Sequence, residues 1–193
     1  MTGRNATDLT LENRTGLPEA LRVLLHDYPR EGWQADPGVH GLVSFWLERH
    51  MMFRQLMARM TTDTQAFLDG RTDARSFAGG IAQFGGMFVN QLHGHHQIED
   101  HHYFPILRSR DDRIERGFDL LDADHHALDG ILARFVDQAN GAIQGVTGSD
   151  PKTGAGRLLT GLADLERLID RHLTDEEDLI VPVILRDGPG GLG

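Results

Sequence analysis

The sequence predicts an all-α fold, an antiparallel up-down four-helix bundle preceded by a short N-terminal helix and a flexible tail. Three observations predict it. Apolar residues recur at spacings of 3 and 4 along four separate stretches, the repeat of one helix face. Clusters of glycine, proline and aspartate divide those stretches by short connections, which suits antiparallel neighbours. No segment alternates polar and apolar residues with the period of 2 expected of a half-buried strand.

The elements follow in order. Met1 to about Gly16 is polar and is expected to be the flexible tail. Pro18 to His26 reads as the short helix, with proline at its first turn and a stripe of Leu21, Leu24 and Leu25. Asp36-Pro37 is a good cap and first-turn pair for the first long helix, which is expected to end at Asp69-Gly70. Its seam is Val43, Trp46, His50, Phe53, Met57 and Met60. The second long helix is expected from about Thr72-Asp73 to Arg108, with a seam of Phe88, Leu92, His95, Glu99, His102 and Ile106. Its pairs Gly79-Gly80 and Gly85-Gly86 mark either close helix contact or a break. The third starts after Asp111-Asp112, ends near Gly141, and carries Leu121, His125, Leu128, Leu132 and Phe135. Gly145 to Gly156 reads as a loop. The fourth then presents Leu162, Leu165, Ile169, His172, Glu176, Leu179 and Val183, ending before Gly188-Pro189. Three parts result: residues 1–35 as tail and short helix, 36–187 as bundle, and 188–193 as C-terminal tail.

A chain of 193 residues is long enough for one domain with a full core. A net charge of −10 argues against nucleic-acid partners and against an anionic membrane surface. The absence of cysteine excludes disulfides, thiolate zinc sites and thiolate-ligated iron–sulfur clusters. Met1 to Asn13 lacks the basic-then-apolar order of a signal peptide, and no apolar run approaches the roughly 20 residues that span a bilayer. A cytoplasmic protein is the expectation.

The chemistry lies in a repeat. His95-x-x-x-Glu99 is followed by Pro105, and His172-x-x-x-Glu176 by Pro182, each proline six residues past its glutamate. A histidine and a glutamate four apart share one helix face. Imidazole and carboxylate together suit iron, manganese or zinc. At about 1.5 Å per residue, His50, His95/Glu99, His125 and His172/Glu176 reach the same level of the bundle to within one or two turns. A lone seam histidine is usually a hydrogen-bonded core residue, but a buried glutamate without a partner is costly. Six such residues on four seams point to a metal site made of His50, His95, Glu99, His125, His172 and Glu176. Both prolines are expected to kink or end their helices just beyond the His/Glu turn.

Other histidines rank lower. His93, His96, His101 and His126 fall off the seams and read as solvated or supporting groups; His40 lies nearly three turns from His50. His102 and Asp129 border the layer, and Asp100 and Glu177 flank its glutamates. A ferritin-like dimetal pattern, Glu-x-x-His on two helices with a further Glu from each of the others, is matched loosely by Glu99-x-x-His102 and Asp122-x-x-His125. It needs Glu48, which is off its seam. No phosphate loop or nucleophile elbow occurs.

One histidine, His-x-x-x-Glu, one histidine and His-x-x-x-Glu on four successive helices resembles the hemerythrin-like (HHE cation-binding) family over about residues 36 to 187. The likeness is carried by His95-x-x-x-Glu99-Asp100 with Tyr103-Phe104-Pro105, by His172-x-x-x-Glu176-Glu177 with Pro182, and by Glu48-Arg-His50-Met-Met-Phe-Arg54 and Asp124-His125. The resemblance implies two iron ions in a non-haem centre, with room for an oxo or hydroxo bridge, other divalent metals being the alternative. It implies His50, His95, His125 and His172 as terminal ligands and Glu99 and Glu176 as bridges. Oxygen-carrying hemerythrins have a His-x-x-x-His on the third helix, where this chain has His125-x-x-x-Asp129. The ligand set is more similar to the iron-centre repair branch, which responds to nitric oxide and oxidative stress, although the cysteine-bearing domain often found there is missing. The functional expectation is binding, sensing or reaction of oxygen, nitric oxide or peroxide. Iron storage, iron donation or iron-centre repair is the alternative.

Overall fold

The structure, a computed structural model, describes residues 8–192. In chain order the helices are α1 (Val23–Asp27), α2 (Arg30–Trp33), α3 (Leu42–Leu68) and α4 (Ala74–Ile98), then a π-helical turn (Glu99–Tyr103), α5 (Phe104–Arg108), α6 (Glu115–Gly145) and α7 (Pro151–Asp187). Short 3-10 turns occupy Glu19–Leu21 and Pro37–Val39, and no strand occurs among the described residues. The fold is an all-α helical bundle.

Helix α3 packs on α4 and α7, and α6 packs on the same two, closing a ring of four. Side-chain pairs give the directions. Phe67 stacks on Phe77 at 4.4 Å, Phe53 meets Phe88, His50 meets His95 and Trp46 meets Tyr103, so α3 and α4 run antiparallel. On the other side Gly117 faces Leu179, Asp124 faces His172 and Ala142 faces Gly154, so α6 and α7 do the same. Every expected seam residue of α3, α6 and α7 is buried. The glycine pairs of α4 do not break it; a side chain at Gly80 would meet Asp63 and one at Gly85 would meet Phe135, each at 3.3 Å, whereas Gly79 and Gly86 face open space.

Several boundaries differ from expectation, each for a local reason. Asp36 caps only a 3-10 turn, accepting from the Gly38 amide at 2.7 Å, and Gly41 at φ +85° interrupts the chain, so α3 starts at Leu42. The expected loop Gly145 to Gly156 shrinks to 146–150, because Asp150 accepts from the Thr153 amide and Pro151 begins α7. Pro182 neither ends α7, which runs on to Asp187, nor is it exposed. Pro105, by contrast, follows the π turn as a first-turn residue of α5.

That π turn moves the seam. One extra residue per turn shifts the inward face by one position. The expected His102 and Ile106 therefore give way to Tyr103 and Leu107; His102 is exposed and Leu107 is fully buried.

The expected N-terminal tail lies partly outside the described residues (1–7). From Asp8 onward it is packed: Thr10 to Arg14 forms a turn, Leu11 and Leu17 are buried, and Arg14 is buried with them. The expected C-terminal tail is likewise held down, by buried Leu192 and by Arg110 donating to the Gly188 carbonyl at 2.7 Å. Isolated contacts of this kind leave no periodic trace in a polar stretch.

The apolar interior falls into two clusters. One contains Phe53, Leu92, Leu128 and Leu173, the other Trp46, Phe104, Leu121 and Leu179. On each of the four helical stretches the histidines and glutamates sit between the two.

Candidate metal centre

Helices α3, α4, α6 and α7 and the π turn together deliver the layer. His50, Glu99, His125, His172 and Glu176 are all at most 4% exposed, and the His95 side chain is 10% exposed. The structure also brings in His96, 5% exposed, which the sequence reading set aside as off-seam. Its ring stacks on His125 with centroids 3.9 Å apart and meets His172 edge-on at 5.2 Å. Helix α4 buries a stripe wide enough for both His95 and His96; the spacing Phe88-Leu92-His96 was the available signal.

The donor atoms form two groups, each within 4.8 Å: His50, His95, Glu99 and Glu176, and His96, His125 and His172. Both glutamates reach across. Glu99 Oε1 lies 3.0 Å from His95 Nε2, while its Oε2 lies 3.7 Å from His125 Nε2. Glu176 Oε2 is 3.6 Å from both His50 Nε2 and His172 Nε2. The Nε2 atoms of His50 and His95 are 3.1 Å apart.

A carboxylate stands behind three of the rings. His50 Nδ1 donates to Glu177 at 3.0 Å, His125 Nδ1 to Asp100 at 2.7 Å, and His172 Nδ1 to Asp124 at 3.3 Å. A carboxylate only accepts, so each Nδ1 carries the proton and each Nε2 presents its lone pair to the layer. Asp100 and Glu177, which flank the glutamates in sequence, take this supporting place, and so does Asp124, which the sequence marked only as the neighbour of His125.

The remaining candidates stay outside. Asp129, His93, His101, His126 and His40 are exposed. So are Glu48, which accepts from Ser44, and Asp122; the ferritin-like arrangement, which needs both, is not assembled.

The side chains of the layer, taken by themselves, are under strong electrostatic stress. Burial pushes the Glu99 carboxyl up to about 8, and burial plus the Glu99 charge pushes Glu176 well above the usual range. Burial lowers His95 to about 4 and holds His96 and His172 well below the ordinary imidazole value. Glu177 behaves oppositely: burial would raise it, but the His50 hydrogen bond and Arg54 outweigh that and bring it to about 2.

Of the eleven buried side-chain nitrogens and oxygens without a hydrogen-bond partner among the described residues, seven belong to this layer: Nε2 of His96, His125 and His172, and both oxygens of Glu99 and Glu176. Unpaired buried polar atoms cost about 1–3 kcal/mol each, so a set of seven converging on one layer calls for a compensating charge. Neutral imidazoles and carboxylates converging in this way fit a divalent cation.

A family model, the hemerythrin HHE cation binding domain, matches residues 41–184. The chain belongs to that family, which makes it a metal-binding protein of a family whose cation is usually iron. Neither the curated proteins nor the solved structures gave a match.

Proposed function

We propose that this HHE domain is a cytoplasmic protein that holds two iron ions and binds, senses or reacts with oxygen, nitric oxide or peroxide. The reading rests on the seven unpartnered donor atoms, split into two groups that Glu99 and Glu176 join. His50 and His95 would serve one ion, His125 and His172 the other, and the two glutamates both. His96 adds a third imidazole to the second group. The fifth histidine therefore comes from α4, not from the place four residues after His125, where Asp129 points to solvent.

Iron bound here would supply a redox-active Lewis acid with a position for a small ligand. If both glutamates serve both ions, the ion beside His50 and His95 would have two imidazoles against three for the other. Around that pair the chain supplies apolar cover: Trp46 meets both rings edge-on at 6.3 Å, and Phe53 lies 5.3 Å from His95. Glu177, Asp100 and Asp124 hold their rings in the tautomer that faces the layer. Among the described residues no helix is long and apolar enough to cross a membrane.

Metal content and absorption of the protein purified in air test the proposal. Two irons per chain are expected. Stoichiometric zinc alone, or no metal after anaerobic iron loading, would refute it. Stopped-flow mixing of the reduced protein with oxygen, nitric oxide and peroxide separately identifies the ligand. Ready transfer of iron to a chelator would favour storage or donation instead.

A further inference from the structure

The family match begins at residue 41, yet a buried guanidinium from well before it reaches the layer. Arg14 donates through Nη1 to Asp124 Oδ1 at 2.7 Å and through Nη2 to Asp124 Oδ2. Its Nε donates to Asp175 at 2.7 Å. The Arg14 side chain is 1% exposed, so this is a plug and not a surface pair. Asp124 in turn accepts from His172 Nδ1. The relay thus runs from the N-terminal strap (residues 8–17) through one carboxylate to a ring whose Nε2 faces the layer.

The strap is built to stay in place. Leu11 and Leu17 are buried on either side of Arg14, the Leu17 amide donates to Asp175 at 3.0 Å, and Arg171 donates to the Thr15 carbonyl at 2.6 Å. The opposite group is supported differently. Glu177, behind His50, accepts from Arg54 within the matched domain as well as from Arg30 before it, each at 2.8 Å. Asp124 has no such second guanidinium among the described residues: besides the His172 ring, Arg14 is what donates to it.

We infer that Arg14 is a positioning residue of the metal centre: it clamps Asp124 against His172 and so sets how firmly the ion beside His96, His125 and His172 is held. This rests on the two-metal reading above. The planar guanidinium makes two parallel bonds to one carboxylate, which fixes the direction in which that carboxylate presents its oxygen to the ring. Without it, Asp124 can rotate, and His172 loses the partner that orients it. Groups that orient ligating histidines typically change metal affinity by about 10–100-fold when removed. The effect should fall on one ion of the two, because Glu177, which backs His50 in the other group, is untouched.

The test uses the full chain, loaded anaerobically with ferrous iron, counted, and challenged with a chromogenic chelator. Arg14→Leu should release one of its two irons at least about tenfold faster than wild type and the other at the wild-type rate. In Mössbauer spectra one of two iron environments should shift. Arg14→Lys retains a cation but cannot make the paired bonds; it should fold and still release one iron faster, so it decides the matter if Arg14→Leu fails to fold. Arg22→Leu, a partly exposed change five residues past the strap, should behave as wild type. Unchanged release and spectra in Arg14→Leu and Arg14→Lys would overturn the inference, as would equal acceleration of both irons, which marks general loosening. A wild-type chain that holds no iron overturns the two-metal reading and this inference with it.

Discussion

Replacing Glu99 by glutamine should stabilise the metal-free protein at alkaline pH and destroy its stabilisation by iron. Burial holds the Glu99 carboxyl up to about 8, against 4.5 for an ordinary glutamate. Between those values the unfolded chain has released a proton that the folded chain keeps. Each pH unit in that window therefore costs the folded state about 1.4 kcal/mol, and stability falls as pH rises. By pH 8 the accumulated cost is about 4 kcal/mol for this fully buried group. Glutamine has nearly the same shape and no charge to bury, so Glu99→Gln should match wild type near pH 4.5 and exceed it by up to about 4 kcal/mol at pH 8. Iron reverses the order, since a ligand at 100 times its dissociation constant adds about 2.7 kcal/mol to a chain that binds it and little to one that does not. Urea unfolding of chelator-treated and iron-loaded protein at both pH values measures all four cases. A variant no more stable than wild type at pH 8 without metal, or stabilised by iron as strongly as wild type, would refute the reasoning.

Three other outcomes are expected. His96→Leu should loosen one of two irons by about tenfold or more, whereas His93→Leu, on the exposed face of α4, should not; equal iron retention in both variants would remove His96 from the centre. Iron binding near pH 7 should release about two protons per chain, because Glu99 and Glu176 are both held protonated while His95, at about 4, is already neutral. Calorimetry in buffers of different ionisation enthalpy counts them, affinity should rise with pH, and a count near zero would contradict the assignment. Leu162→Ala, at a fully buried position away from the layer, should cost about 2–5 kcal/mol in urea unfolding with two-iron stoichiometry retained.

The seams were legible because burial in a bundle obeys one period, and His50, His125, His172 and Glu176 stand where an apolar residue would otherwise be. His96 was not. It neighbours His95 in a tract of five histidines, and a narrow seam admits only one of two adjacent residues, whereas α4 buries a wider stripe. The shift from His102 to Tyr103 needed knowledge of the π turn, whose extra residue breaks the 3.6-residue repeat on which the seam was read. The start of α7 was readable in principle, since Asp150-Pro151, inside the expected loop, is a cap and first-turn pair. Arg14 left no periodic trace because its partners are 110 and 161 residues away.

Together these features explain why a polar layer is tolerated in the middle of the core. Two apolar clusters lie on either side of it, so the bundle has enough buried hydrocarbon to fold around groups that oppose folding. The opposition is confined to the inner atoms. Each outward nitrogen of His50, His125 and His172 is matched by a carboxylate, and two of those carboxylates are matched by arginines, so charge is balanced outward from the layer and left unbalanced only at its centre. A packing defect would scatter its unpaired atoms. Here seven of the eleven unpaired atoms among the described residues converge from three helices and the π turn, and their combined demand is positive charge: two carboxyls that burial keeps from ionising and imidazoles that it keeps from protonating. Divalent cations satisfy both groups at once, because they let the carboxylates ionise and need the imidazoles neutral.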